Sequence, residues 1–127
     1  MTPNKVLIVD DDTHIVELIR LNLKNEGFET CTAYDGEKAL ELFRSEAPSI
    51  VILDVMMPKM DGLQVCREIR RISNIPIIML TAKGEEMDEL QGFECGADEY
   101  IAKPFSPKIL TARVDAIIRR AYGGDSN

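Results

Sequence analysis

The chain is poor in the residues that staple folds, bind soft metals or cross membranes. Histidine occurs once, at His14. Cysteine occurs three times, at Cys31, Cys66 and Cys95, an odd and widely spaced set in apolar contexts. That pattern argues against a disulfide framework or a zinc site and reads as small buried thiols of a reducing compartment. Positive charge is also short. Fifteen Lys and Arg against 22 Asp and Glu leave a net charge of −7, which does not suit this segment to nucleic-acid phosphates or an anionic membrane by itself. No apolar run exceeds about five residues, against roughly 20 for a membrane span. The first hydrophobic run is cut by Asp10, Asp11 and Asp12, so no signal segment is expected. There is no internal repeat and no low-complexity tract. A single cytoplasmic domain is expected, and 127 residues at 45% hydrophobic content are enough to close a core.

Lys5–Val9 is a short continuous apolar run, as for a strand buried on both faces. Asp12 or Thr13 caps a helix carrying Ile15, Leu18, Ile19 and Leu23, stopped at Gly27. Phe28–Ala33 reads as a weaker strand. Asp35-Gly36 opens a second helix with Ala39, Leu40 and Phe43, ended by Pro48. Ser49–Leu53 is a third strand running straight into Asp54, with Pro58 beyond it. Asp61 with Gln64 forms a capping box for a helix with Leu63, Cys66 (or Val65), Ile69 and Ile72. Ile77–Leu80 is a fourth strand ending on Thr81, and a weaker helix follows through Met87, Leu90 and Phe93 to Gly96. Glu99–Ala102 is a fifth strand. Ser106-Pro107 starts a last helix with Leu110, Val114, Ile117, Ile118 and Ala121. Residues 123–127 read as the start of a linker or tail, leaving 1–122 as the domain.

Five apolar strands alternating with five amphipathic helices predict an α/β domain with a parallel sheet covered on both faces. In such sheets sites form beyond the carboxyl ends of the strands. Collecting those ends gives Asp10 and Asp11, then Asp54, Thr81 and Lys103. Three ionised carboxylates in one place repel unless one is protonated or a cation joins them. With no His or Cys beside them, these oxygens favour Mg²⁺ over zinc. Asp54 then becomes a nucleophile able to form an aspartyl phosphate, with Lys103 and the Thr81 hydroxyl meeting phosphoryl oxygens.

These residues resemble a known family. Val9-Asp10-Asp11, Asp54-Val55-Met56-Met57-Pro58 with Asp61-Gly62, Thr81-Ala82 and Lys103-Pro104-Phe105 are similar to the motifs of the receiver domain of bacterial two-component response regulators. The likeness runs from about Lys5 to Ala121. It implies a doubly wound (βα)5, flavodoxin-like domain with sheet order 2-1-3-4-5. It also implies Asp54 as phosphoacceptor, with Asp11, Asp54 and the Met56 carbonyl holding Mg²⁺ (Mn²⁺ as a substitute) and Asp10 acting through a metal-bound water. Thr81, Ala82 and Lys103 match the phosphate-contacting and switch positions, and Tyr100 the aromatic switch. A cis Lys103–Pro104 peptide is a further family trait. The implied donor is a sensor histidine kinase or a small phosphodonor such as acetyl phosphate. The output face is the fourth helix, fifth strand and fifth helix.

The segment Lys103–Lys108 with Leu110, Ala112-Arg113 and Arg119-Arg120 resembles the OmpR/PhoB type, whose DNA binding resides in a C-terminal winged-helix domain beyond these residues. A homodimer through the output face is implied, with Asp98 and Glu99 facing Arg113 and Arg120 across it. Glu89 and Ile109 replace a Lys and a Glu that commonly pair there. A single-domain regulator acting by protein contacts is the alternative reading. An aspartyl-phosphate phosphatase needs a second acid two residues after the nucleophile, where Met56 stands. A flavodoxin-like cofactor site would not place three aspartates beside a phosphate. No enzyme activity beyond autophosphorylation and autodephosphorylation of the domain itself is expected. His14 reads as a surface or capping residue.

Overall fold

The computed structural model describes residues 4–82 and 96–123. Its strands are β1 (Lys5–Val9), β2 (Glu29–Ala33), β3 (Ile50–Asp54), β4 (Ile77–Ala82) and β5 (Glu99–Lys103). Its helices are α1 (Thr13–Asn25), α2 (Gly36–Glu46), α3 (Gly62–Arg70) and α4 (Pro107–Ile118), the last being the fifth helix of the sequence pattern. The expected fourth helix lies outside the described residues, as does Glu89. All pairings are parallel, in the order β2-β1-β3-β4-β5.

Two clusters fill the faces of the sheet. Leu7, Val9, Leu53 and Met79 meet Ala39, Leu63, Val65 and Ile69 from α2 and α3. Ile8, Ile52, Ile78 and Leu80 meet Val16, Ile19, Leu23, Leu110 and Val114 from α1 and α4. β1 and β3 therefore have no solvent face, which is why their sequences do not alternate.

The caps follow the predicted chemistry. The Asp12 carboxylate accepts from His14 N and Ile15 N, Asp35 from Lys38 N, and Ser106 from Ile109 N. Asp61 and Gln64 close a reciprocal capping box. Three predicted core positions need correction. Leu18 and Ile72 are 45% and 64% exposed, and Ala121 is exposed in a π-helical turn, Arg119–Gly123. Val16 takes the inward position on α1 that Leu18 was expected to hold. The π-turn is fastened by Tyr122, whose hydroxyl donates to the Ser49 carbonyl at 2.7 Å.

Arg70, at the end of α3, holds one corner of the domain. Its guanidinium donates to the carbonyls of Gly96 (2.9 Å) and Ile75 (2.7 Å) and to Asp98 Oδ2 (2.8 Å). The same Asp98 oxygen accepts from Ile77 N at 2.8 Å. One cation thus joins α3 to the starts of β4 and β5.

Candidate functional site

Parallel pairing brings the strand ends to one rim. Asp54, the last residue of β3, is in register with Leu80, and Lys103, the last residue of β5, with Ala82. Asp10 and Asp11 follow β1 directly. Asp10 is fully buried, Asp54 is 3% exposed and Thr81 4%, whereas Asp11 is exposed. One carboxylate oxygen from each of Asp10, Asp11 and Asp54 lies within 4.8 Å of the others.

The ammonium of Lys103 sits between the two buried acids, 2.9 Å from Asp10 Oδ2 and 3.2 Å from Asp54 Oδ1. Asp10 Oδ1 accepts from Asp12 N at 2.9 Å. Burial, and then the charge of Asp10, raise the Asp54 carboxyl to about 6, with Lys103 opposing them. Burial also raises Asp10, against the Asp12 amide and Lys103. For Lys103, burial acts to lower the ammonium, but Asp10 and Asp54 outweigh it and the net direction is upward. Two buried acids thus share one cation, an arrangement short of positive charge.

The donor set suits a small hard divalent ion, offering three carboxylates without imidazole or thiolate. Asp10 Oδ2 supports the same fit. It is buried and has no hydrogen bond of good geometry among the described residues, the Lys103 ammonium at 2.9 Å being its close cation.

The remaining expected site residues are placed as follows. Met56 is 62% exposed in the loop between β3 and α3. Thr81 Oγ1 donates to the Ala82 carbonyl at 3.3 Å. Tyr100 is half-buried and packs on the α2–α3 side of the sheet. The Lys103–Pro104 peptide is cis. Ile109 is 60% exposed and Arg120 lies in the exposed π-turn. Asp98 and Glu99, expected to face Arg120 and Arg113 of a second copy, are engaged within the chain. Asp98 pairs with Arg70, and Glu99 with Arg113. His14 is fully out in solvent, with its side chain 99% exposed.

Three residues shape this rim or its supports in ways that the sequence reasoning did not assign. The Asp12 amide orients Asp10, a backbone role that no side-chain pattern announces. Arg70 engages Asp98, and its only signal was a position at the end of an amphipathic helix. Gly62 lets α3 start against β3, since a Cβ there would lie 2.1 Å from the Asp54 carbonyl oxygen. Its signal was the Asp61-Gly62 pair.

Comparison with known proteins agrees with this geometry. The family model described as the response regulator receiver domain matches residues 6–115. A protein of Guillardia theta named "Probable transcriptional regulator ycf27" is 55% identical over 119 residues, covering 94% of this chain and 47% of that protein. The Francisella response regulator 1452 receiver domain superposes with a TM-score of 0.86 at 34% identity, over 93% of this chain and 98% of that one. DrrB, an OmpR/PhoB homologue from Thermotoga maritima, gives a TM-score of 0.84 at 37% identity, over 93% of this chain and 54% of that one. The chain spans about half the length of the curated relatives it matches. Sheet order, strand-end residues and matched sequence agree: the chain belongs to the response regulator receiver domain family.

Proposed function

We propose that Asp54 accepts a phosphoryl group from a sensor histidine kinase or a small phosphodonor and that the modified domain signals through its far face. The observation that carries this reading is a nearly buried carboxylate at the end of β3, held 3.2 Å from the Lys103 ammonium and within 4.8 Å of two further carboxylates. Asp11, Asp54 and the Met56 carbonyl would hold Mg²⁺, or Mn²⁺ in its place, with Asp10 acting through a bound water. Such an ion neutralises the carboxylates and the phosphoryl oxygens brought among them.

The residues of the chain divide the remaining work. With its carboxyl raised to about 6, Asp54 is mostly ionised at neutral pH. One of its oxygens attacks the phosphorus while the bond to the donor nitrogen or oxygen breaks, its electron pair leaving with the donor. Lys103 turns from the two acids to the phosphoryl oxygens, and Thr81 and the Ala82 amide offer further donors. The product carries about −1.5 to −2 charges near pH 7. Drawing Thr81 inward makes room for Tyr100, which biases two states of the output face.

A cytoplasmic setting belongs to this reading, because the odd, widely spaced cysteines suit a reducing compartment; no helix among the described residues is long and apolar enough to cross a membrane. The likeness to DrrB, an OmpR/PhoB homologue, supports an OmpR/PhoB-type regulator, and the domain is proposed to span residues 1–122. DNA would then be bound by a further domain and transcription regulated through it. The chain itself acts as a signalling acceptor rather than as an enzyme on other substrates.

Intact mass spectrometry after acetyl phosphate and Mg²⁺ is expected to show one phosphate adduct, absent in Asp54→Ala. An adduct that survives this substitution overturns the assignment. Activation is further expected to form a homodimer through the face bearing Ile109, Arg113 and Arg120. The Glu99–Arg113 ion pair inside each chain would have to be exchanged for pairs between chains. Size-exclusion chromatography with and without beryllofluoride reads this, and a monomer under both conditions removes the dimer.

A further inference from the structure

The loop joining β3 to α3, residues 55–61, carries Met56 past the acidic rim, and little of its own hydrogen bonding fixes it. Its ends are secured, with Val55 N donating to the Leu80 carbonyl at 3.0 Å and Gly62 N to the Val55 carbonyl at 2.9 Å. Between those ends, among the described residues, no backbone group of residues 56–60 bonds to another backbone group. Lys59 adopts a left-handed conformation (φ 68°), and Pro58 and Lys59 are exposed. The position of the loop therefore depends on what packs against it. Met57 anchors it from below, buried in the core.

The lateral wall comes from a different element. Gly36, the buried first residue of α2, sits directly against Met60. A Cβ at Gly36 would lie 2.8 Å from the Met60 carbonyl oxygen, 2.9 Å from Met60 Cβ and 2.9 Å from Val65 Cγ2. The first two atoms are backbone or fixed to it, so contact at that range forces a displacement. α2 is fastened through Ala39 and by the Asp35 cap, and α3 through Leu63, Val65 and Ile69. The loop, with few bonds of its own, is the part that yields.

We propose that Gly36 is a positioning residue for the cation site. By having no side chain it lets the start of α2 seat against Met60, and this contact sets where the loop holds the Met56 carbonyl relative to Asp54. The inference rests on the reading above that a divalent cation is held by Asp11, Asp54 and the Met56 carbonyl, with Asp10 acting through a bound water. Gly36 touches none of those carboxylates and acts only through the loop.

Mn²⁺ binding to the unphosphorylated chain, followed by the electron paramagnetic resonance of free Mn²⁺, tests this without any turnover. Gly36→Ala is expected to weaken Mn²⁺ binding roughly 10-fold, the lower end of what supporting residues contribute around metal ligands. Gly27→Ala is the control for general loss of stability. Gly27 has a φ of +90° and open space around a Cβ, so its substitution lowers the melting temperature and leaves Mn²⁺ affinity unchanged. Because the Val65 contact belongs to the core, Gly36→Ala could compromise folding there. Adding Val65→Ala relieves that contact and retains the one with Met60. The double variant is therefore expected to bind Mn²⁺ more weakly than Val65→Ala alone. Affinities of these two within roughly twofold, well short of the 10-fold contribution expected of a supporting residue, overturn the proposal. Asp11→Asn separates the two levels. If it leaves Mn²⁺ binding intact, the cation site itself is wrong and the role of Gly36 falls with it. If it abolishes binding while the Gly36 variants bind normally, only the positioning role is lost.

Discussion

Replacing Asp54 with Asn is expected to make the cation-free protein more stable at pH 7, by about 2–3 kcal/mol. The carboxyl is raised from its ordinary 3.8 to about 6 because it is buried beside Asp10. Each pH unit of such a difference is worth about 1.4 kcal/mol, so ionising Asp54 in the folded chain costs about 3 kcal/mol relative to the unfolded chain. An amide keeps an oxygen for Lys103, 3.2 Å away, and removes the charge. The sign follows from proton counting. Between 3.8 and about 6 the folded state binds more protons than the unfolded state, so this carboxyl's contribution to stability falls as pH rises through that window. Above about 6 the penalty is complete, and the Asn variant keeps its full advantage. Below 3.8 both states are protonated at this position and the advantage disappears. Urea unfolding of both proteins across this range measures it. An Asn variant less stable at pH 7, or an advantage independent of pH, would show that burial does not strain this carboxylate. A side chain kept at a stability cost fits a residue retained for its chemistry.

That cost was partly legible in the sequence. A continuous apolar run ending on an acid placed Asp54 at the rim of a buried strand, and the same rule collected Asp10, Asp11, Thr81 and Lys103. Strand order was less open to pattern alone, because Val6–Val9 and Ile50–Leu53 are buried on both faces and show no period to orient them. The resemblance supplied the order that the pairing displays. Leu18 misled because helical spacing permits two neighbouring stripes on α1, and only the seat against Ile8 and Ile52 selects Val16. Ile72 lies two residues beyond α3, where spacing no longer describes the chain. The engagement of Asp98 by Arg70 spans 28 positions, and no local rule connects them. Gly36 was read as part of a helix start. Its contact with Met60 exists only once α2 and the β3–α3 loop share the same side of the sheet. Local chemistry thus gathered the strand-end side chains at one rim, and tertiary packing determined what holds them there.

Lys103→Ala is expected to have the opposite effect to Asp54→Asn. In the cation-free chain the Lys103 ammonium is the one positive charge within ion-pairing range of Asp10 and Asp54 among the described residues. Removing one member of a buried pair commonly costs about 3–5 kcal/mol, because the remaining charge stays buried. Here two acids are left, one fully buried and one 3% exposed. Part of the loss is relieved as each acid takes up a proton more readily, so the expected fall at pH 7 is about 3 kcal/mol in urea unfolding. Stability should recover as the pH is lowered, since without Lys103 both carboxyls rise further. A divalent cation should also restore it. Ligand binding to the folded state stabilises by about 2.7 kcal/mol at 100 times the dissociation constant. A divalent ion bound at the acids meets no competing ammonium in the Ala variant, so Mg²⁺ should stabilise that variant more than the unaltered chain. Phosphorylation should nevertheless remain impaired in the presence of Mg²⁺, because the ammonium is also the group offered to the phosphoryl oxygens. An unchanged unfolding midpoint without Mg²⁺ would mean that Lys103 does not offset the buried acids. Smaller stabilisation by Mg²⁺ in the Ala variant would place the ion away from Asp10 and Asp54. Either result separates Lys103 from the charge balance on which the phosphoacceptor reading of Asp54 depends.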